Sequence, residues 1–226
     1  LTFVFLTITG TVIIGGVLLS TFYTGECKLK ESGEVFTSCL ILASVICLAV
    51  AAVLLIFREP IIHALCPDET LLSGVRKYYT IFVIGGTGYA VSFIGTPGFL
   101  QKDGKPVEST LAYIVGTTVS TVLCYVLVST GTMGVEGAAL ATVMGSFTSG
   151  VIGAVIILRK GSTIRFTRVK VSLILSFAKK IFTLGSNAGL ENASFMLRSL
   201  AINAILASCF GSMSLAAFGV IGSVLN

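Results

Sequence analysis

The stretch GVEGAALATVMGSFTSGVIG, residues 134–153, decides the fold because it combines membrane-like apolarity with a regular pattern of small residues. A glycine, alanine or serine recurs at every fourth position, and residues four apart lie on one face of a helix. In lipid such a face lets neighbouring helices approach closely, since packing replaces the hydrophobic effect as the force between them. The pattern predicts a membrane helix in a tight bundle, with a sliding functional surface as the alternative. The small residues are Gly137, Ala141, Gly145, Ser149 and Gly153.

The composition of the whole chain extends this prediction. Of the 226 residues, 54% are hydrophobic and 11% are charged, and the mean hydropathy is +1.00, whereas soluble domains carry about 25% charged residues. Crossing a hydrocarbon core of about 30 Å takes about 20 mostly apolar residues in a helix. We therefore predict an all-α polytopic membrane protein with six complete spans and the start of a seventh. The predicted spans are 1–23, 36–57, 78–100, 107–130, 135–158 and 181–209, with the seventh beginning near residue 214.

Both ends of the chain are apolar. It opens with LTFVFLTITG, without an initiating methionine or the basic region of a signal peptide. It ends with LAAFGVIGSVLN, which has the character of a half-completed span. We therefore expect an internal fragment of a longer, transporter-sized protein.

Cysteine and histidine give little support for a metal or a cofactor. The six cysteines lack CxxC spacing, and four lie in apolar runs, where cysteine behaves as a small hydrophobic residue. His63, the sole histidine, lies near Cys66 and Asp68 in HALCPDE, and one histidine cannot supply an ordinary metal site. We expect no disulfide framework, no metal and no cofactor, with His63 as a polar residue at the membrane interface.

Lysine and arginine are distributed unevenly among the loops. The first, third and fifth loops hold eleven of the fifteen basic residues, so the positive-inside rule makes these loops cytoplasmic. The net charge of +5 then follows from topology and from attraction to anionic lipid, without a nucleic-acid partner. In the fifth loop, FTRVKVSLILSFAKK has basic and apolar residues at helical spacing. We predict an amphipathic interfacial linker over 161–180, with an ordinary linker as the alternative.

Three motifs resemble the multidrug and toxic compound extrusion (MATE) family. GVEGAALATVM resembles the GVxGAALAT element that follows that family's fifth helix, and FLQKDGKP resembles its cytoplasmic turn F-x-R-x-D-G-x-P. The segment from KKIFTLGSNAGLE to SLAAFGV looks like the family's seventh helix, outer turn and eighth-helix start. On this alignment residues 1–160 correspond to helices two to six of the N-terminal bundle and 161–180 to the cytoplasmic linker. Residues 181–226 correspond to helix seven and the start of helix eight of the C-terminal bundle.

The resemblance implies a twelve-helix, plasma-membrane transporter with two six-helix bundles around a central cavity. Family members are secondary active efflux transporters that work by alternating access and sodium or proton antiport. Their typical cargo is a cationic, amphipathic drug or metabolite. The implied partners are therefore the lipid bilayer, small organic cations and the remainder of the chain itself, and the coupling ion would be sodium or a proton.

The sequence departs from the family pattern at positions that bear on coupling. Many members carry an asparagine and, four residues later, an aspartate in the fifth helix; the corresponding positions here are Ser120 and Cys124. A thiol in an apolar setting carries no charge at pH 7 and cannot replace a carboxylate, so coupling through this helix is put in doubt. An expected arginine is replaced by Gln101, and Asn187 stands where many members have a proline.

Glu191 is then the main acidic candidate within the membrane. It lies in NAGLENASFMLRSLAIN, residues 187–203, about 15 Å of helix rise after the predicted start of its span. Glu136 lies beside an outer turn, where we expect solvent exposure. Helical spacing places Asn187, Ser194 and Arg198 on the same face as Glu191, which predicts a polar stripe.

Two interpretations of this stripe remain open. In the functional one, Glu191 binds the coupling cation or a cationic substrate, and Asn187 and Ser194 add neutral ligands. In the structural one, Glu191 and Arg198 are fixed charges that other helices satisfy. Arg198 by itself fits the structural role better, since a long basic side chain can extend toward the outer interface.

Two other functional classes compete with export. A membrane enzyme needs a nucleophile with a base, paired intramembrane aspartates or a metal cluster, whereas Asp68, Asp103 and His63 all lie in predicted loops. We therefore expect no enzymatic activity. The alternative is a flippase for lipid-linked oligosaccharides, which shares the superfamily fold. Such proteins hold pyrophosphate with several cavity arginines and lysines, and only Arg198 is available here.

Overall fold

The computed structural model describes residues 2–65, 72–89, 96–129, 133–159 and 166–225, and every regular element in these ranges is helical. These ranges contain eight helices, which we number in chain order. They are α1 (Thr2–Gly25), α2 (Leu29–Ile56), α3 (Arg58–Leu65), α4 (Leu72–Tyr89), α5 (Thr96–Lys102), α6 (Pro106–Ser129), α7 (Val135–Leu158) and α8 (Val171–Leu225).

Four helices of the described chain are long and apolar enough to cross a membrane, namely α1, α2, α6 and α7. They cover the predicted spans 1–23, 36–57, 107–130 and 135–158. The third predicted span, 78–100, falls on α4 and α5, and residues 90–95 between them lie outside the described ranges. The chain is therefore an all-α polytopic membrane protein.

The first two loops are shorter than the sequence predicts. The chain reverses after α1 in a tight turn in which Cys27 adopts a φ of 60°. The Lys28 amide donates to the Tyr23 carbonyl at 2.9 Å, and α2 begins at once, at Leu29 rather than at residue 36. The second loop contains α3, which carries an exposed His63. Cys66 and Asp68, which lie near His63 in the sequence, are outside the described ranges.

The C-terminal part also differs from the prediction. α8 runs without a break from Val171 to Leu225, so the end of the predicted linker, the span 181–209 and the start near 214 lie on one continuous helix. The segment contains no proline, the residue that most reliably ends a helix. Residues 166–170 are not helical, and 161–165 lie outside the described ranges. The division of the chain between two bundles stays a prediction.

Contacts between loops separate the two sides of the membrane. On one side, Lys77 before the middle of α4 forms a 2.6 Å ion pair with Glu136 at the start of α7. The sequence predicted a solvent-exposed Glu136, but its carboxylate is paired and its side chain is only 30% exposed. On the opposite side, Lys180 donates to the Tyr23 hydroxyl at 3.3 Å, and the Thr167 amide donates to Thr37 at 3.1 Å. The first and fifth loops thus share one side, as alternate loops must.

Two buried clusters form the core. The first joins α1, α2, α5, α8 and the end of α7, and at its centre the rings of Phe36 and Phe99 meet edge to face at 4.7 Å. The second joins α1, α2, α3, α4 and α7 around the buried rings of Tyr79 and Phe82. The Tyr79 hydroxyl donates to the Leu54 carbonyl at 2.8 Å, so the second cluster is also fixed by a hydrogen bond.

The small residues of α7 form its contact with α6. A Cβ atom added at Gly145 would lie 2.5 Å from the Cβ of Ser120, and one at Gly116 would lie 2.6 Å from the Cβ of Ser149. Both distances are far below van der Waals contact, so the two backbones touch at glycine. All five members of the stripe are buried: Gly137, Ala141, Gly145, Ser149 and Gly153.

A second backbone contact joins α1 to α8, which run in opposite directions. A Cβ added at Gly15 would overlap the Ile181 carbonyl, and one at Gly185 would overlap the Thr11 carbonyl. One turn further along α8, the hydroxyl of Thr11 fills the space beside Gly189. This crossing fixes which face of α8 is turned toward the rest of the chain.

Candidate functional site

A polar cavity of about 320 Å³ lies on α8. Its volume is at the lower end of the range for small-molecule sites, about 300–1,000 Å³. Its lining residues among those described are Glu191, Ser194, Phe195 and Arg198. Three of the four predicted stripe residues thus line one cavity, and the fourth, Asn187, is exposed further toward the start of the helix.

The α1 contact explains why this cavity is open. Ile181, Gly185 and Gly189 face α1, and at 100° per residue the stripe of Glu191 and Arg198 lies roughly 130° away around the helix. The stripe therefore points away from α1, and among the described residues Glu191, Ser194 and Arg198 are exposed.

The two charges of the cavity are not joined to each other. No ion pair involves Glu191 among the described side chains, whereas the Arg198 guanidinium lies over the Phe195 ring, 4.8 Å from its centroid. Such a cation–π contact holds Arg198 without a carboxylate. The Glu191 carboxylate is consequently available to a cation, with the acceptor lone pairs of the Ser194 hydroxyl nearby. That hydroxyl donates to the Leu190 carbonyl at 2.8 Å.

Glu191 lies deep relative to the charged end of α8. Lys180, at the level of Tyr23, marks that end, and Glu191 follows it by eleven residues, or about 16 Å of helix rise. With a hydrocarbon core of about 30 Å, this depth is far from either interface. A carboxylate at such depth is costly unless it faces a partner or a watery cavity.

Ser120 and Cys124 belong to a different part of the molecule. Both lie on α6, and Ser120 packs against Gly145 of α7. α6 packs mainly against α7 and α5, whereas α8 packs mainly against α1 and α2. The structure thus divides the six candidate residues into two separate groups.

The chain's resemblance to known proteins is consistent across sequence and structure. The model of the MatE family matches residues 1–126, more than half of the chain. The chain belongs to the MatE family. MatE proteins are transporters of the plasma membrane and not enzymes.

Individual relatives of this MatE chain are distant in sequence and close in fold. It is 24% identical over 173 residues to the multidrug export protein MepA of Staphylococcus haemolyticus, covering 76% of this chain and 38% of that protein. An inward-facing multidrug resistance MATE family transporter of the MOP superfamily superposes with a TM-score of 0.84 at 18% identity, covering 95% of this chain and 49% of that one. The MATE transporter VcmN of Vibrio cholerae, in its bent form, gives 0.77 at 18% identity, covering 97% and 49%. This MatE chain thus spans 38% of the length of MepA and about half the length of the two solved transporters.

One polar cluster of the MatE chain escaped the sequence-based prediction. Lys102, at the end of α5, donates to the hydroxyls of Ser20 at 2.8 Å, Thr24 at 2.7 Å and Ser32 at 2.8 Å. An ammonium group has three donors, and all three are satisfied here. Burial lowers the pKa of Lys102 to about 8, although Asp103 acts in the opposite direction. The only local signal was the spacing of Ser20 and Thr24 by one helical turn.

Proposed function

We propose that this MatE chain serves secondary active efflux: it exports cationic or amphipathic drugs or metabolites, in exchange for sodium ions or protons, by alternating access. Relatives of the chain are named as a multidrug export protein and a multidrug resistance transporter. The chain spans about half of such proteins, so the whole transport cycle involves more protein than is described here.

The observation that carries this proposal is Glu191, which lines the cavity of α8 and has no ion-pair partner among the described side chains. A carboxylate that lies deep in the membrane and faces an open cavity can bind a proton, a sodium ion or the ammonium group of a substrate. Hard cations prefer oxygen ligands, and Ser194 and Asn187 place a hydroxyl and an amide on the same face. Phe195 adds an aromatic surface for an amphipathic cation.

Arg198 has a positioning role in this proposal. It lies at the other end of the cavity and stays fixed over Phe195. Its positive charge makes that end unfavourable for a cation, so a cation is directed to Glu191. A single basic residue in the described lining offers little for a pyrophosphate, and nothing in this cavity favours the oligosaccharide flippase.

The test is efflux of a cationic dye from cells that express the full-length protein, under imposed sodium or proton gradients. Wild type should export the dye with one of the two gradients. Glu191→Gln, which keeps the shape and removes the charge, should lower export at least tenfold at equal expression, a loss typical of a group with a direct role. Glu108→Gln is the matched control, because Glu108 is an exposed carboxylate on α6 outside the cavity, and it should export normally.

Two results would contradict the proposal in different ways. Normal export by Glu191→Gln would assign Glu191 to structure and the coupling site to another part of the protein. No export by wild type with either gradient would argue against efflux itself and would favour the alternative function, a flippase for lipid-linked oligosaccharides.

A further inference from the structure

A groove of about 580 Å³ lies between the end of α1 and the beginning of α8. Its floor is apolar, formed by Leu19, Phe22 and Leu184. Phe22 is 59% exposed and Leu184 is 42% exposed, so this floor is open to the surroundings of the helices. The remaining lining residues are polar and lie mostly at one end: Tyr23, Lys179, Lys180 and Thr183.

The polar end of the groove is positively charged. Lys179 and Lys180 line it, and no acidic residue is among the described lining residues. Glu26, in the turn directly after α1, is already paired with Lys28 at 2.7 Å. The groove thus offers two cationic groups with no carboxylate among them.

Tyr23 holds one of these cations at the mouth. Lys180 lies 5.9 Å from the centre of the Tyr23 ring and donates to its hydroxyl at 3.3 Å. Lys179 is exposed and makes no ion pair among the described side chains. Each lysine therefore keeps donors free for an anion.

The groove lies at the level where a lipid changes from headgroup to acyl chain. Both lysines belong to the loop that the positive-inside rule assigns to the cytoplasm. Leu19 and Leu184 lie one turn deeper along their helices than Tyr23 and Lys180. The apolar floor therefore extends from the polar end of the groove toward the hydrocarbon core. The cytoplasmic leaflet is also the one that carries the negative surface potential.

We propose that this groove binds an anionic phospholipid of the cytoplasmic leaflet, with its phosphate held by Lys179 and Lys180 and an acyl chain lying along Leu19, Phe22 and Leu184. The bound lipid contacts both α1 and α8 beside their glycine crossing. The larger groove between α6 and α7 differs in charge, because Glu108 lies there beside Lys105 and Arg159 and repels an anionic headgroup.

The test is native mass spectrometry of the purified full-length protein in detergent, with phosphatidylglycerol or phosphatidylcholine of the same acyl chains added. Wild type should retain phosphatidylglycerol in preference to phosphatidylcholine. Lys179→Gln with Lys180→Gln should bind phosphatidylglycerol about 30-fold more weakly, as expected for two lysines near a lipid surface. Lys30→Gln with Lys170→Gln is the matched control: it removes two exposed charges of the same side and should leave binding within about twofold of wild type.

A second variant keeps the charges and fills the groove. Thr183→Trp places a large side chain in the groove, at an exposed lining position of α8. It should abolish retention of phosphatidylglycerol while the protein elutes as wild type on size exclusion. Undiminished phosphatidylglycerol binding by both site variants, or equal retention of the two lipids by wild type, would overturn the proposal.

Discussion

At the scale of single residues, Lys102 is a half-buried charge that three hydroxyl groups hold in place. Its pKa of about 8 lies below the usual 10.5, because burial disfavours the ammonium form. The unfolded chain therefore binds more protons than the folded one between these values, and the free energy of unfolding rises with pH across this window. The stabilisation is fully present above about 10.5 and is lost as the pH falls through about 8.

This linkage is measurable as a thermal shift. Lys102 is half-buried, so solvent screening reduces the effect to about 1 kcal/mol, or about 2–4 °C for a chain of this size. We expect the melting temperature of wild type to rise between pH 7.5 and pH 10 relative to that of Lys102→Met, which lacks the titrating group. Parallel curves for the two proteins would contradict this assignment.

Local spacing predicts some of the site and cannot predict the rest. The shared face of Glu191, Ser194 and Arg198 follows from helical periodicity alone, and the cavity contains all three. The Lys102 cluster joins residues 70 to 82 positions apart, which no local pattern reveals. The cation–π partner of Arg198, by contrast, is three residues away and could have been read from the sequence.

At the scale of helices, glycine determines which pairs touch. A methyl group at Gly185 would meet the backbone carbonyl of Thr11, and a backbone cannot turn aside as a side chain can. We expect Gly185→Ala to destabilise the protein by about 1–3 kcal/mol, the usual cost of overpacking. Gly74→Ala is the control, since Gly74 has open space around it and alanine is the better helix former there. Thermal unfolding in detergent should give Gly185→Ala a lower melting temperature than Gly74→Ala. Equal melting temperatures would contradict the close backbone contact between Gly185 and Thr11.

Helix boundaries were harder to predict than helix cores. Hydropathy locates the part of a helix that lies in lipid, so α1, α6 and α7 were predicted within a few residues. Hydropathy does not detect helical turns that continue outside the hydrocarbon. The charged first turns of α2, with Lys30 and Glu31, are an example. Hydropathy also treats glycine and serine near residue 211 as a loop signal, although α8 continues through them.

At the scale of the whole molecule, the contacts between loops imply a definite orientation. With the first, third and fifth loops in the cytoplasm, Cys27 is exposed there and Met133 is exposed outside. In intact cells a membrane-impermeant maleimide should label Met133→Cys in a variant whose Cys27 and Cys66 are both serine, since Cys66 belongs to the second predicted loop, on the outer side. A variant that keeps Met133 and Cys27 and carries serine only at position 66 should be labelled only after permeabilisation. Cys39 and Cys47 are buried and should stay unlabelled in both. The opposite labelling order would invert the topology.

The crossing of α1 and α8 has a consequence for how the protein is made. Gly15 and Gly185, which meet there, are 170 residues apart in the chain. At about 5–20 residues per second, a ribosome needs roughly 10–35 s to produce the second after the first. For that time the glycine face of α1 is in the membrane without its main partner, where lipid or an insertion factor must cover it. Biogenesis of this chain therefore depends on a delayed docking step, and a slower ribosome lengthens the interval in which α1 can pair wrongly.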